Sequence, residues 1–100
     1  MICLKIHADA IDPSRTIISI CDSDLIGKKF EQGKKQLNIT ERFYKGEIKT
    51  EDEITEILKN ASNINIVGKK SISLALKLKI IGKENIIKIQ GIPHAQSIFL

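Results

Sequence analysis

Apolar and polar positions alternate at the amino end of the chain. Ile2, Leu4 and Ile6 are separated by Cys3, Lys5 and His7, the period-two pattern of a strand with one buried face. The step Asp12-Pro13 within Asp9 to Arg15 predicts a turn, because proline fixes its own φ and offers no backbone donor. The β-branched run Thr16 to Cys21 then reads as a second strand. A hairpin centred on Asp12 sets Ile6 opposite Ile18, Leu4 opposite Ile20 and Cys3 opposite Cys21, with the apolar residues on one side.

From Asp22 the pattern changes. Asp22 or Ser23 can cap a helix whose apolar side is Leu25, Ile26 and Phe30 and whose left-handed stop is Gly33. Leu37 and Ile39 suggest a brief strand, and Thr40 to Tyr44 a capped turn that buries Phe43 and ends at Gly46. Thr50 followed by Glu53 forms a capping box, and Ile54, Ile57, Leu58 and Ala61 mark the stripe of a helix reaching Ala61. Ile64, Ile66 and Val67 read as a strand ending at Gly68. Two periods compete over Lys69 to Ile81: Ile72, Leu74, Leu76, Leu78 and Ile80 alternate, yet the Leu, Ala and Lys content, the length and Gly82 at the end favour a helix. Asn85 to Gln90 then forms a strand, Gly91 to His94 a turn, and Ala95 to Leu100 a terminal strand. The strand, helix and strand from Ile64 to Ile89 imply a right-handed βαβ crossover. The expected architecture is α+β: one domain over residues 1–100, a mixed sheet with an N-terminal hairpin, and about three helices.

Composition narrows the class. One hundred residues with 42% apolar content suit a modest core, and isoleucine alone fills about a fifth of the positions, so the chain is expected to fold. No window approaches the ~18 uninterrupted apolar residues of a membrane span, and MICLKIHADA lacks a secretory pattern. Two cysteines without a Cys-x-x-Cys pair argue against a structural zinc site or a disulfide scaffold. A soluble cytoplasmic protein in a reducing compartment, without membrane partner, cofactor or metal, is expected. The net charge of +4 invites a polyanion partner, although 14 of the 16 basic residues are Lys, as an AT-rich genome would also produce.

Four places could carry chemistry. Gly68, Lys69, Lys70 and Ser71 combine a strand end, a helix start and two ammonium groups, which suits a phosphate or carboxylate. They resemble only the back half of a P-loop, whose first glycine would fall at Asn63, which argues against nucleotide hydrolysis. Gly91, Pro93, His94 and Gln96 form a turn that could aim an imidazole and an amide outward; the plainer reading is a tight turn whose His caps a carbonyl. Cys21 and Asp22 join a strand to a helix start, where a thiol can become a nucleophile; inert packing, with Asp22 or Asp24 as cap or first-turn acid, competes. His7 shares the face of Cys3, but four strand residues span ~13 Å, too far to share one metal. Lys28, Lys29, Lys34 and Lys35, with Phe30, Arg42 and Tyr44 nearby, could follow a nucleic-acid backbone, with Tyr44 left to stack if Phe30 and Phe43 face the core.

Lys5 to His7, Cys21 with Asp22, Leu25 through Gly27 to Phe30, Phe43 and Tyr44 with Gly46, Asn65 to Gly68, and the closing Gly91, Pro93, His94, Ala95 and Gln96 together form a pattern over nearly the whole chain. It resembles a family of small archaeal proteins defined by a domain of unknown function. The resemblance implies an archaeal cytosolic protein with a helix around Ile72; Cys3 stands outside the pattern, and no activity comes with it. Two readings follow. The first is a non-enzymatic RNA- or ribonucleoprotein-binding module, linked to translation, with the lysines on phosphates and His94 and Gln96 giving contact specificity. The second is a small enzyme or anionic-ligand-binding protein in which Cys21, Asp22 and His94 meet in a pocket beside the Gly68 turn. A terminal strand with an open edge would also suit a homodimer.

Overall fold

The computed structural model describes residues 1–8, 11–12 and 15–98. Strands β1 (Ile2–His7) and β2 (Ile17–Asp22) form an antiparallel hairpin in the expected register, Cys3 opposite Cys21, Leu4 opposite Ile20 and Ile6 opposite Ile18. The turn at Pro13 and the reach of the last strand to Leu100 lie outside the described residues.

The segment read as a helix after Asp22 is instead a single 3-10 turn, Ser23–Leu25, followed by a hairpin of β3 (Lys29–Gln32) and β4 (Lys35–Asn38). Gly27 at φ +89° breaks any helix between Leu25 and Phe30, and pairing of Phe30 with Leu37 supplies the alternative. Next come α1 (Glu41–Tyr44), capped by the Thr40 hydroxyl, and β5 (Glu47–Lys49). Within α1 it is Tyr44 that is buried, whereas Phe43 is only half-buried. Helix α2 (Glu51–Leu58) begins with the complete Thr50–Glu53 capping box.

Strand β6 (Asn63–Val67) leads through Gly68 into α3 (Lys69–Lys77). The helix stops short of Gly82. Lys79 takes the left-handed position at φ +60°, and Ile80 N–H donates to the Ala75 carbonyl while Lys79 N–H donates to Leu76, a Schellman close without glycine. The chain ends with β7 (Ile87–Ile89) and β8 (Ile92–Ile98). Their connection is the two-residue turn Gln90-Gly91, both at positive φ, so Pro93 and His94 stand inside β8 rather than in a turn.

Among the described residues six strands form one mixed sheet in the order β5-β1-β2-β6-β8-β7, in which β2 and β6 pair in parallel. Helix α3 connects β6 to β7, which run the same way with β8 inserted between them. The last strand is therefore flanked by β7 along Ile92 to His94, and β7 forms that edge of the sheet.

The two sheet faces differ in kind. On one, Leu4, Ile20, Ile66 and Ala95 form a continuous cross-strand row beside Ile18 and Ile64. These pack against Ile54 and Leu58 of α2 and Ile72, Leu74 and Ala75 of α3 to form the main core. Ile20, Ile64 and Ile66 are fully buried there, each contributing about 1.5–3 kcal/mol of burial. Ile6, although on this face, is 53% exposed beyond the helices' cover. On the other face, the β3-β4 hairpin and α1 cover one end through a smaller cluster of Cys21, Leu37, Ile39, Tyr44, Val67 and Ile89.

Candidate functional site

Successive residues of β2 point to opposite faces, and this separates two neighbours that the sequence places together. Asp22 turns to the helix side. Its Oδ2 accepts from Lys70 N–H at 3.0 Å, and its Oδ1 accepts from Ser71 N–H and Ser71 Oγ, each at 2.8 Å. The carboxylate therefore occupies the N-terminus of α3, where the backbone donors and the helix dipole both favour a negative charge. Gly68, at φ +106°, leaves room for it, since a Cβ there would run into the Asp22 carboxyl group. The amides of Gly68, Lys70 and Ser71, which made this turn attractive for an external anion, are satisfied by the chain itself. Lys69 and Lys70 remain exposed beside them.

Cys21 turns to the other face and is fully buried. Burial, with the nearby Asp22 charge, pushes its thiol from 9.0 up to about 12, the opposite of what a nucleophile needs. Cys3 lies opposite it in register, and both thiols are free and buried. Cys3 Sγ accepts from Gly46 N–H at 3.0 Å.

His94 shares the face of Cys21, but Val67 stands between them, for Cys21 pairs with Val67 and Val67 with His94. Two strand spacings put their backbones about 9–10 Å apart. Cys21, Asp22 and His94 thus do not converge. A cleft of about 580 Å³ between α2 and the end of α3 is lined by Leu58, Lys59, Ala61, Leu78, Lys79 and Ile80 and by none of the three. Among the described residues, no three His, Cys, Asp or Glu side chains gather closely enough to hold a metal.

The face that carries His94 becomes polar beyond the hairpin. Lys5, Ser19, Asn65 and Gln96 form one row across β1, β2, β6 and β8, and the next row, His7, Ile17, Asn63 and Ile98, alternates polar with apolar and exposes Ile98. Helix α1 docks along these rows by its carbonyls: Lys5 Nζ donates to Arg42 O, while His7 Nε2 (2.8 Å) and Ser19 Oγ (3.0 Å) both bond Phe43 O. The His7 imidazole also stacks on the Phe43 ring with centroids 4.3 Å apart. Tyr44, on the next position of α1, donates its hydroxyl to Asn65 Oδ1 at 2.8 Å, and His94 Nε2 lies 3.3 Å from the same oxygen. Burial raises the Tyr44 phenol from 10.0 to about 12 and lowers the His94 pKa below its ordinary 6.5, so both stay neutral at neutral pH. Gln96 is exposed, its amide 3.4 Å from Asn63 Oδ1.

The six candidate lysines fall into two groups. Lys28, Lys29, Lys34 and Lys35 are exposed along the hairpin, which packs on the apolar end of this face, with Lys29 paired to Glu31 at 3.3 Å. Lys69 and Lys70 start α3 in the opposite layer. Phe30 turns inward to the smaller cluster, and the Tyr44 hydroxyl is spent on Asn65, so neither ring is a free stacking platform.

Of the residues singled out from sequence, His94 and Gln96 therefore share one sheet face, and the exposed lysines Lys28, Lys29, Lys34 and Lys35 belong to the hairpin segment that packs on the other end of that face. Asn65, Ser19 and the His7–Phe43 stack were missed. Their signal is the alternation itself, in which Ser19 divides Ile18 from Ile20 and Asn65 divides Ile64 from Ile66.

No curated protein matches the chain in sequence. Among solved structures, an uncharacterized conserved protein from Methanopyrus kandleri is similar at 25% identity and a TM-score of 0.80, over 99% of this chain and 91% of that one. A family model described as a protein of unknown function (DUF424) matches residues 10–100, and the chain belongs to that family.

Proposed function

We propose that the protein is a non-enzymatic module that binds single-stranded RNA, alone or within a ribonucleoprotein, on the polar face of its sheet. One observation carries this reading: past Lys5 and Ser19, which lie against the carbonyls of α1, the same sheet face carries the side chains of Asn63, Asn65, Gln96 and His94, of which Gln96 is exposed and the others half-buried. Amide and imidazole groups on an open sheet offer donors and acceptors to unpaired base edges, and the exposed lysines of the hairpin suit phosphates. The enzymatic alternative has weaker support, because Asp22 serves α3, the Cys21 thiol is buried and protonated, and neither reaches His94.

Fluorescence anisotropy with labelled RNA 8-mers over a salt series tests the proposal. Affinity should fall as salt rises, and Lys28, Lys34 and Lys35 changed together to Gln should flatten the slope by roughly 0.7 for each phosphate that is no longer neutralised. Gln96→Ala should lower affinity at every salt concentration without changing the slope. Absence of binding at low salt ends the proposal.

A further inference from the structure

The side-chain oxygen of Asn65 has two hydrogen-bonding neighbours, the Tyr44 hydroxyl and His94 Nε2. A carbonyl oxygen only accepts, so the imidazole carries its proton on Nε2. The other nitrogen, Nδ1, is then a lone-pair acceptor. It has no partner among the described residues, and none of their fully buried side-chain nitrogens or oxygens is left unpartnered, so Nδ1 of the half-buried ring retains some access to solvent. Burial of the ring disfavours its charged form and preserves this acceptor at neutral pH.

The geometry points to His94 as a reader of nucleobase N–H groups: Nδ1, held as an acceptor by the Tyr44–Asn65 pair, takes a hydrogen bond from an amino or imino group of a bound base. This rests on the RNA-binding reading and adds the chemical group that the sheet face selects. A phosphate oxygen is itself an acceptor and finds no donor at Nδ1, so this point distinguishes base from backbone. Tyr44 and Asn65 act as positioning residues. Without the phenol, the Asn65 amide is free to turn its nitrogen toward the ring and reverse the polarity of Nδ1.

Two measurements on the full chain test it. Long-range ¹⁵N NMR of the imidazoles at pH 7.5 should show His94 with Nε2 protonated and Nδ1 bare, whereas Tyr44→Phe should show both tautomers. Anisotropy is then read with 8-mers of A, C and U and with the same oligomers methylated to N6,N6-dimethyladenine, N4,N4-dimethylcytosine and N3-methyluracil, which removes the donor and adds methyl bulk in its place, His94→Phe serving as the control for the bulk. Methylation of the best-bound oligomer should weaken wild-type binding about tenfold, the scale of one good base contact, and should cost His94→Phe nothing further. An Nδ1-protonated ring in the wild type, or an equal methylation penalty in wild type and His94→Phe, overturns this inference alone. Failure of every unmethylated oligomer to bind overturns the RNA reading and this inference with it.

Discussion

Asp22 and Ser71 are joined by two hydrogen bonds of 2.8 Å, one from the Ser71 amide and one from its hydroxyl, across 49 positions of sequence. The last residue of β2 thereby caps a helix that begins after the neighbouring parallel strand. Both groups are buried, and Ser71 is fully so. Removal of the carboxylate leaves donors at the start of α3 without partners. Asp22→Ala should therefore cost about 2–4 kcal/mol in urea denaturation, more than an exposed cap, and Asp22→Asn roughly half as much because one amide oxygen still accepts.

Gly68 is coupled to the same carboxylate. Its positive φ disfavours any side chain, and the space a Cβ would need is filled by Asp22. Gly68→Ala should cost at least about 2 kcal/mol on its own. In the Asp22→Ala background the carboxyl group is gone, while the clash with the remaining Cβ at 2.7 Å and the backbone strain persist, so the two losses should be less than additive by up to about 1 kcal/mol in a double-mutant cycle.

The folded sheet also holds three groups in their neutral forms, and each sets a direction of pH dependence. Cys21 and Tyr44 have pKa values raised by burial from 9.0 and 10.0 to about 12. Between those limits the unfolded chain has released protons that the folded chain retains, so stability is lost as pH rises above about 9. His94 is shifted the other way, below 6.5. There the unfolded chain binds a proton that the folded chain refuses, so stability present above 6.5 is lost as pH falls through the folded value. Thermal unfolding between pH 5 and 11 should show a plateau near pH 7–9 with losses on both sides. Cys21→Ala should reduce the alkaline loss, and His94→Phe the acidic one.

What the sequence makes legible is local. The first hairpin's register follows from matching Leu4 with Ile20 and Ile6 with Ile18, and the Thr50–Glu53 box marks a helix start from four consecutive residues. The β3-β4 hairpin defeats the same logic. Leu25, Ile26 and Phe30 have helical spacing, yet Phe30 is held by Leu37 across a turn, and Leu37 is invisible to a pattern that ends at Gly33. The candidate site is harder still. Asn65 looks like any solvent-facing residue between Ile64 and Ile66 until the parallel pairing of β2 with β6 brings it beside Ser19 and α1 lowers Tyr44 onto it. Asp22 invites assignment as a cap for its own following turn, because nothing in its neighbourhood announces Ser71.

The end of α3 offers a stabilising substitution. Lys79 occupies the left-handed position of the Schellman motif, where a Cβ is unfavourable, and its side chain is exposed. Lys79→Gly should raise stability by about 0.5–1 kcal/mol, the relief of left-handed strain outweighing the greater freedom of glycine in the unfolded chain. A fall in the denaturation midpoint would show instead that the lysine side chain matters more than its backbone.

The hairpin that borders the polar face is fastened to the sheet by a reciprocal pair of glutamines. Glu31 N–H donates to Gln90 Oε1 at 2.9 Å, and Gln90 N–H donates to Gln32 Oε1 at 2.8 Å, so each side chain accepts from the opposite backbone. Gln90 also holds a positive φ of 50° at the β7-β8 turn, which its substitution by glycine relieves while the clamp on Glu31 disappears. Gln32→Ala removes the other half without touching the turn, at a cost of about 1 kcal/mol. Hydrogen exchange separates these effects. In Gln32→Ala the amides of Lys29–Gln32 and Lys35–Asn38 should exchange faster while those of Ile18–Cys21 and Ile64–Val67 keep their protection. If the hairpin's main function is to carry Lys28, Lys34 and Lys35 over an RNA bound to the sheet, loosening it should weaken RNA affinity and leave the Gln96→Ala penalty unchanged. Uniform acceleration across the whole sheet would mean instead that the hairpin is integral to the global fold and has no separable motion.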